Sequence, residues 1–179
     1  AGGGIDLGER AISIVATSGS RCVVTESASV RCWGHGSGAL GYGHREDIGD
    51  DEPVKDAGTV QVGWPVVEVA KYFYHTCARS STGTVRCWGS ANLGQLGVNE
   101  FYRLELGYDE HPSEGGPVGI DEPLAQLSLG YDFSCAITPK GVLWCWGNGY
   151  KGVTGHGIIE PIGLWDRPND YGPVKVFVE

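Results

Sequence analysis

Three residue sets in this chain have types and spacings that suggest chemistry. Six cysteines fall in three pairs, Cys22 with Cys32, Cys77 with Cys87 and Cys135 with Cys145, each pair ten residues apart. Five histidines, His35, His44, His75, His111 and His156, are scattered without a common spacing. A run of acids, Asp47, Asp50, Asp51 and Glu52, offers hard oxygen ligands. The cysteines would do redox or metal chemistry, the histidines acid–base work, and the acids would hold a cation such as calcium.

The spacing narrows each option. Nine residues between cysteine partners, with a turn midway, place them opposite one another on adjacent antiparallel strands, within reach of a disulfide. The alternative is six small hydrophobes left reduced in a core. Zinc is disfavoured, because ligands ten apart lack the usual two-to-four-residue step. The acids do not follow the ligand spacing of a calcium-binding helix–loop–helix, so calcium stays a minor option beside plain solvation, and no cofactor is expected. No nucleophile elbow accompanies the histidines. The chain is therefore expected to be non-enzymatic.

Positioning these residues is the task of a repeat. "RCWG" stands at 31–34 and 86–89, and "WCWG" at 144–147; corresponding cysteines are 55 and then 58 residues apart, the length of a propeller blade. Within each unit an alternating apolar segment ("AISIVATSGSRCVV", "VVEVAKYFYHTCAR", "LAQLSLGYDFSCAI") leads through a turn into a short strand ending in "CWG". The turns "TGT" at 82–84 and "PKG" at 139–141 hold glycine where a tight hairpin needs positive φ; "ESAS" at 26–29 does not. A glycine-rich loop, an acidic insertion and another short strand ("TVQVG", "PVGID", "PVKVFVE") complete each unit. Two G-x-G-x-x-G strings, at Gly36–Gly41 and Gly147–Gly152, open no expected helix and read as turn glycines rather than a phosphate cradle. Trp33, Trp88 and Trp146 read as residues that pack blade on blade.

The reading is an all-β fold of β-propeller blades: one repeat domain over 1–179, with four-stranded repeats at 11–65, 66–123 and 124–179 and with 1–10 as the tail of a preceding repeat. Three blades form an incomplete ring, to be completed by another chain or by missing sequence.

The unit "VAKYFYHTCARSSTGTVRCWGSANLGQLG" at 69–97 resembles the regulator of chromosome condensation type of repeat, and "CVVTESASVRCWGHGSGALG" and "CAITPKGVLWCWGNGYKG" follow it. The resemblance implies a propeller, usually seven-bladed, that serves as a platform for protein contacts without fixing one activity. In the third repeat Val153 and Thr154 stand where Gln95 and Leu96 of "GQLG" are expected. The paired cysteines and acidic insertion look like the secreted bacterial, myxobacteria-like variety.

Thirty glycines and nine prolines with 41% hydrophobic residues describe a folded, turn-rich chain, and a net charge of −9 excludes binding to a phosphate backbone. No apolar run could span a bilayer. With no methionine and no leader pattern, the chain is expected to begin after a processing point and to be extracellular or on the cell surface. Residues expected in contact loops are Asp47, Asp50, Asp51, Phe101, Tyr102, Tyr108, Trp165 and Tyr171. The expected role is a secreted structural protein that self-associates through its open edges, as a closed dimer or a head-to-tail filament. The alternative is a protein-binding or inhibitory module of a longer propeller.

Overall fold

The computed structural model describes residues 4–99 and 105–176. Three antiparallel sheets follow one another along the chain. The first is β1 (Ala11–Ala16), β2 (Ser20–Thr25) and β3 (Val30–Gly34). The second is β4 (Val66–Tyr72), β5 (His75–Ser80), β6 (Val85–Ser90) and β7 (Glu105–Leu106). The third is β8 (Gln126–Leu129), β9 (Phe133–Ile137) and β10 (Leu143–Gly147). The architecture is all-β: stacked sheets of propeller-blade form, open at both ends as described.

Each alternating segment is two strands rather than one. Tyr72 pairs with His75, so the chain reverses at Phe73 and Tyr74, and at the same place in the other units around Ser18 and Tyr131. Aromatic residues at a turn carry no turn signal, which hides this reversal in the sequence. Fourth strands are minimal. Leu106 pairs with Gly89 in the middle sheet, and in the outer sheets single bridges, Ile48 to Gly34 and Ile162 to Gly147, occupy that position. The expected final strands contribute one rung each: the amides of Val60, Val118 and Val174 donate to the carbonyls of Val30, Val85 and Leu143.

The hairpins after β2, β5 and β9 share one design. The residue two before each strand-closing partner, Ala28, Gly83 or Gly141, has φ of 61°, 87° or 79°. Its amide donates to the carbonyl of Thr25, Ser80 or Thr138. Ala28 therefore sits in a left-handed conformation that costs an alanine about 1–2 kcal/mol. Local bonds offset it: Ser27 Oγ lies 3.1 Å from Thr25 Oγ1 and from Ser29 Oγ and donates to Glu9 at 3.0 Å.

One core runs through the units, formed by buried residues such as Val24, Val30, Val66, Trp88, Leu106, Leu127, Trp146 and Ile162. Because the sheets stack, the same position is covered or bare according to what lies before it. Val69 in β4 and Leu127 in β8 are 8% and 7% exposed, whereas Ile14, their counterpart in β1, is 66% exposed.

Candidate interaction surface

The cysteines lie opposite one another in the register, Cys22 with Cys32, Cys77 with Cys87 and Cys135 with Cys145, with Cα separations of 4.0–4.1 Å, and all three pairs are disulfide-bonded. They staple the hairpin that carries each tryptophan.

The tryptophans make the sheet-to-sheet junctions. Trp88 is fully buried and its Nε1 donates to the carbonyl of Ala39, in the glycine loop of the preceding unit, at 3.1 Å. Thr76 Oγ1 donates to the same carbonyl at 2.7 Å. One junction later the pattern repeats: Trp146 Nε1 and Ser134 Oγ both donate to the carbonyl of Gln95 at 3.0 Å. The loop glycine two residues on makes room for the ring, since a Cβ on Gly41 would lie 2.5 Å from Trp88 Nε1 and one on Gly97 2.8 Å from Trp146 Nε1. Trp33 is half-buried, and no preceding loop among the described residues receives it.

At the far end the matching position receives no ring from the described residues. Gly155 matches Gly41 and Gly97, as its contact with Val174 shows: a Cβ there would lie 2.8 Å from Val174 Cγ1, against 2.9 Å from Val60 for Gly41 and 3.1 Å from Val118 for Gly97. Val153, the counterpart of Ala39 and Gln95, is exposed, and the buried hydroxyl of Thr154 has no hydrogen-bond partner among the described residues.

Beneath the first junction lie two buried titratable groups. Lys71 donates to Ala39 and Thr76, both at 3.0 Å, and burial pushes its ammonium down to about 7. His75 Nε2 bonds Ser134 Oγ at 2.9 Å; burial first, then the Lys71 charge, push the imidazole down to about 3. His75 thus holds two units together as a neutral ring.

Above them the turns project an aromatic ridge. The rings of Tyr72, Phe73, Tyr74 and Tyr131 lie 5.4–6.3 Å apart in tilted and edge-to-face contacts. Phe73, Tyr74 and Tyr131 remain 41–50% exposed. Sequence reasoning missed this ridge; its signal is three consecutive aromatics, "YFY", at the place where a strand must turn. Asp132 beside it is half-buried, and burial raises its carboxyl above the usual range.

The residues expected in contact loops are dispersed. Asp47 closes its own loop, accepting from Gly36 N at 2.6 Å and pairing with His35 at 3.0 Å. Asp50, Asp51 and Glu52 bring oxygens within 4.8 Å of one another, and Glu52 accepts from Gly49 N at 2.7 Å. Hydrogen bonding with Glu52, then the neighbouring negative charges, raise the Asp51 carboxyl. Tyr108 lies under Arg45, whose guanidinium is 4.1 Å from the ring centre. Tyr171 donates to Asp166 at 3.1 Å, and Trp165 is exposed. Phe101 and Tyr102 lie outside the described residues. No helix among the described residues is long and apolar enough to cross a membrane.

Comparison with known proteins places these features. A profile of the family described as "Regulator of chromosome condensation (RCC1) repeat" matches residues 66–95 and 125–153. RCC1 domain-containing protein RUG3, mitochondrial, of Arabidopsis thaliana is 29% identical over 170 residues, 88% of this chain and 35% of RUG3. E3 ubiquitin-protein ligase HERC2 of Homo sapiens is 29% identical over 152 residues, 83% of this chain and 3% of HERC2. Guanine nucleotide exchange factor SRM1 of Saccharomyces cerevisiae is 28% identical over 98 residues, 55% of this chain and 20% of SRM1. Human WBSCR16 superposes with a TM-score of 0.69 at 18% identity, covering 87% of this chain and 37% of that one. Yeast RCC1 (Prp20), solved bound to Kap60, gives 0.66 at 16%, covering 89% and 37%. This chain thus spans between 3% and 37% of the length of these proteins.

These findings correct several expectations. The relatives are eukaryotic, so the secreted, myxobacteria-like variety does not hold. The expected extracellular or cell-surface setting does not hold: the matched RUG3 is described as a mitochondrial protein. The free-standing structural protein that assembles into dimers or filaments is overturned by relatives in which the matched segment is 3% or 35% of a longer chain. The non-enzymatic expectation is overturned as well, since an exchange factor and a ubiquitin ligase carry matching sequence.

Proposed function

We propose that this chain is a protein-binding segment of a longer propeller of the RCC1-repeat kind, its repeats running over 11–65, 66–123 and 124–179. The observation that carries this reading is the pair of matching, uncovered junction halves. Ile14 and Trp33 present the face that Val69 and Trp88 bury one unit later. Gly155, Val153 and Thr154 present the socket that Gly97, Gln95 and Leu96 fill with Trp146. The indole of a following unit would meet the carbonyl of Val153, the counterpart of the Ala39 and Gln95 carbonyls that accept Trp88 and Trp146.

Protein contact follows from the chemistry of the open faces. Propeller loops here project aromatic side chains and carboxylates, which suit a partner surface with cationic and amphipathic groups. The acidic contact loops, Asp50 and Asp51 among them, and Tyr108, Trp165 and Tyr171 would form the rim of such a surface.

Immunoprecipitation from the source organism followed by denaturing mass analysis tests the reading. A disulfide-reduced polypeptide well above 19.0 kDa that contains these repeats is the expected result. A native polypeptide of 19.0 kDa would overturn it.

A further inference from the structure

The aromatic ridge has a chemistry of its own. β4–β5 and β8–β9 reverse side by side, which brings Phe73 and Tyr74 of one unit against Tyr131 of the next; the Tyr74 and Tyr131 ring centres are 5.5 Å apart at 88°. The ridge therefore spans a junction, and its shape depends on two blades being in register. Phe73, Tyr74 and Tyr131, 41–50% exposed at turns that ordinarily take small polar residues, represent apolar surface that the fold itself does not use.

We propose that Tyr72, Phe73, Tyr74 and Tyr131, with Asp132 beside them, form a docking site for an arginine side chain carried on a basic segment of a protein partner. This rests on the protein-binding reading above in taking a protein as the ligand. The rings touch one another, so they offer outer faces rather than a slot between parallel walls; a flat guanidinium can lie on such faces, while a bulky alkylammonium would need a cage. Asp132 supplies the charge. It is half-buried, and no cation or hydrogen-bond donor to its side chain is found among the described residues, so a guanidinium would give the carboxylate the partner the fold withholds. An apolar or anionic ligand would instead cover that carboxylate unpaired. The chain's net charge of −9 attracts a basic segment over longer range, while the ridge decides where it lands.

The groups facing the ridge do not supply an internal cation. Lys71, at the base of the same turn, directs its ammonium inward to Ala39 and Thr76, and His75 is bonded to Ser134. Lys71 and His75 thus leave the cation to be supplied by the partner.

The test titrates the whole chain with a capped glycine–serine peptide carrying spaced arginines, a lysine version and a neutral citrulline version, at about 0.15 M salt, where surface attraction over more than about 8 Å is screened. Tyrosine ring resonances report the site. The expected order is arginine over lysine over citrulline. Tyr131→Leu, Phe73→Leu and Asp132→Asn should each weaken the arginine peptide by about 3- to 10-fold. Glu122→Gln removes the same charge as Asp132→Asn from an exposed position and should leave binding unchanged. Melting curves confirm that the variants fold, and the paired leucine and asparagine changes guard against loss of any one. Equal weakening by Glu122→Gln and Asp132→Asn, equal binding of the citrulline peptide, or no binding at all would overturn the inference. The polypeptide mass decides the longer-propeller reading separately, so either can fail alone.

Discussion

Trp88 is tied to Ala39, forty-nine residues earlier in the chain, by a hydrogen bond of 3.1 Å from indole nitrogen to main-chain carbonyl. Trp146 stands in the same relation to Gln95 at 3.0 Å. These two bonds, with the hydroxyls of Thr76 and Ser134 on the same acceptors, are where one blade recognises the next.

Replacing either tryptophan with phenylalanine removes a donor and leaves space in a filled interface, at a cost of about 1–3 kcal/mol. Trp146→Phe should cost more than Trp88→Phe, because Ala39 keeps Lys71 and Thr76 as donors while Gln95 keeps only Ser134. Trp33→Phe, at a half-buried position, should change stability by less than about 0.5 kcal/mol. Urea unfolding midpoints of the three variants check the order.

Ala28 pays for a left-handed turn that glycine would adopt freely, so Ala28→Gly should stabilise the chain by up to about 1 kcal/mol. The converse changes separate strain from crowding. A Cβ on Gly141 meets nothing within 4 Å, whereas one on Gly83 lies 2.7 Å from Leu124 N. Gly83→Ala should therefore destabilise more than Gly141→Ala, which carries only the backbone cost of about 1 kcal/mol. Thermal melts measure all three.

Lys71 gives stability a pH dependence. Its folded value, about 7, lies below the ordinary 10.5, so between those limits the unfolded chain binds more protons and stability rises with pH. His75, at about 3 against 6.5, adds a second rise in the acid window. Lys71→Met should flatten the upper window, keep the lower one and stabilise the chain at pH 7 by about 1 kcal/mol, since a buried amine is exchanged for an apolar side chain of similar length. Denaturant midpoints from pH 6.5 to 9 would show it; an unchanged slope there would count against Lys71 as its source.

Reduction of the three disulfides should lower the denaturant midpoint, with each bridge contributing at most about 2–3 kcal/mol for so short a loop. Singly deleted pairs, read by the same unfolding curves, apportion the effect.

Much of this fold was legible because it is written in local chemistry. The ten-residue cysteine spacing, the glycines of two hairpins and the period of "CWG" are all short-range statements, and each maps onto a strand register. What was lost belongs to longer range or to context. Phe73 and Tyr74 look like strand residues because nothing in their types announces a turn, so the ridge they form with Tyr131 was invisible until two units lay side by side. The cellular setting went wrong for a related reason: spacing fixes which sulfurs can meet across a hairpin, not the compartment in which they do so. Loop carboxylates such as Asp47 read as free surface, yet its oxygen is committed to Gly36 and His35.

At both junctions the acceptor is a main-chain carbonyl, and the side chains at that position are alanine and glutamine, with valine at the open end. The connection is therefore blind to what the residue is, and asks only that the loop bend and that glycine follow two positions later. Units joined this way are interchangeable parts: a hairpin copied or moved elsewhere in such a chain would find the same socket waiting, which makes duplication and exchange of whole blades a cheap route to new loop surfaces.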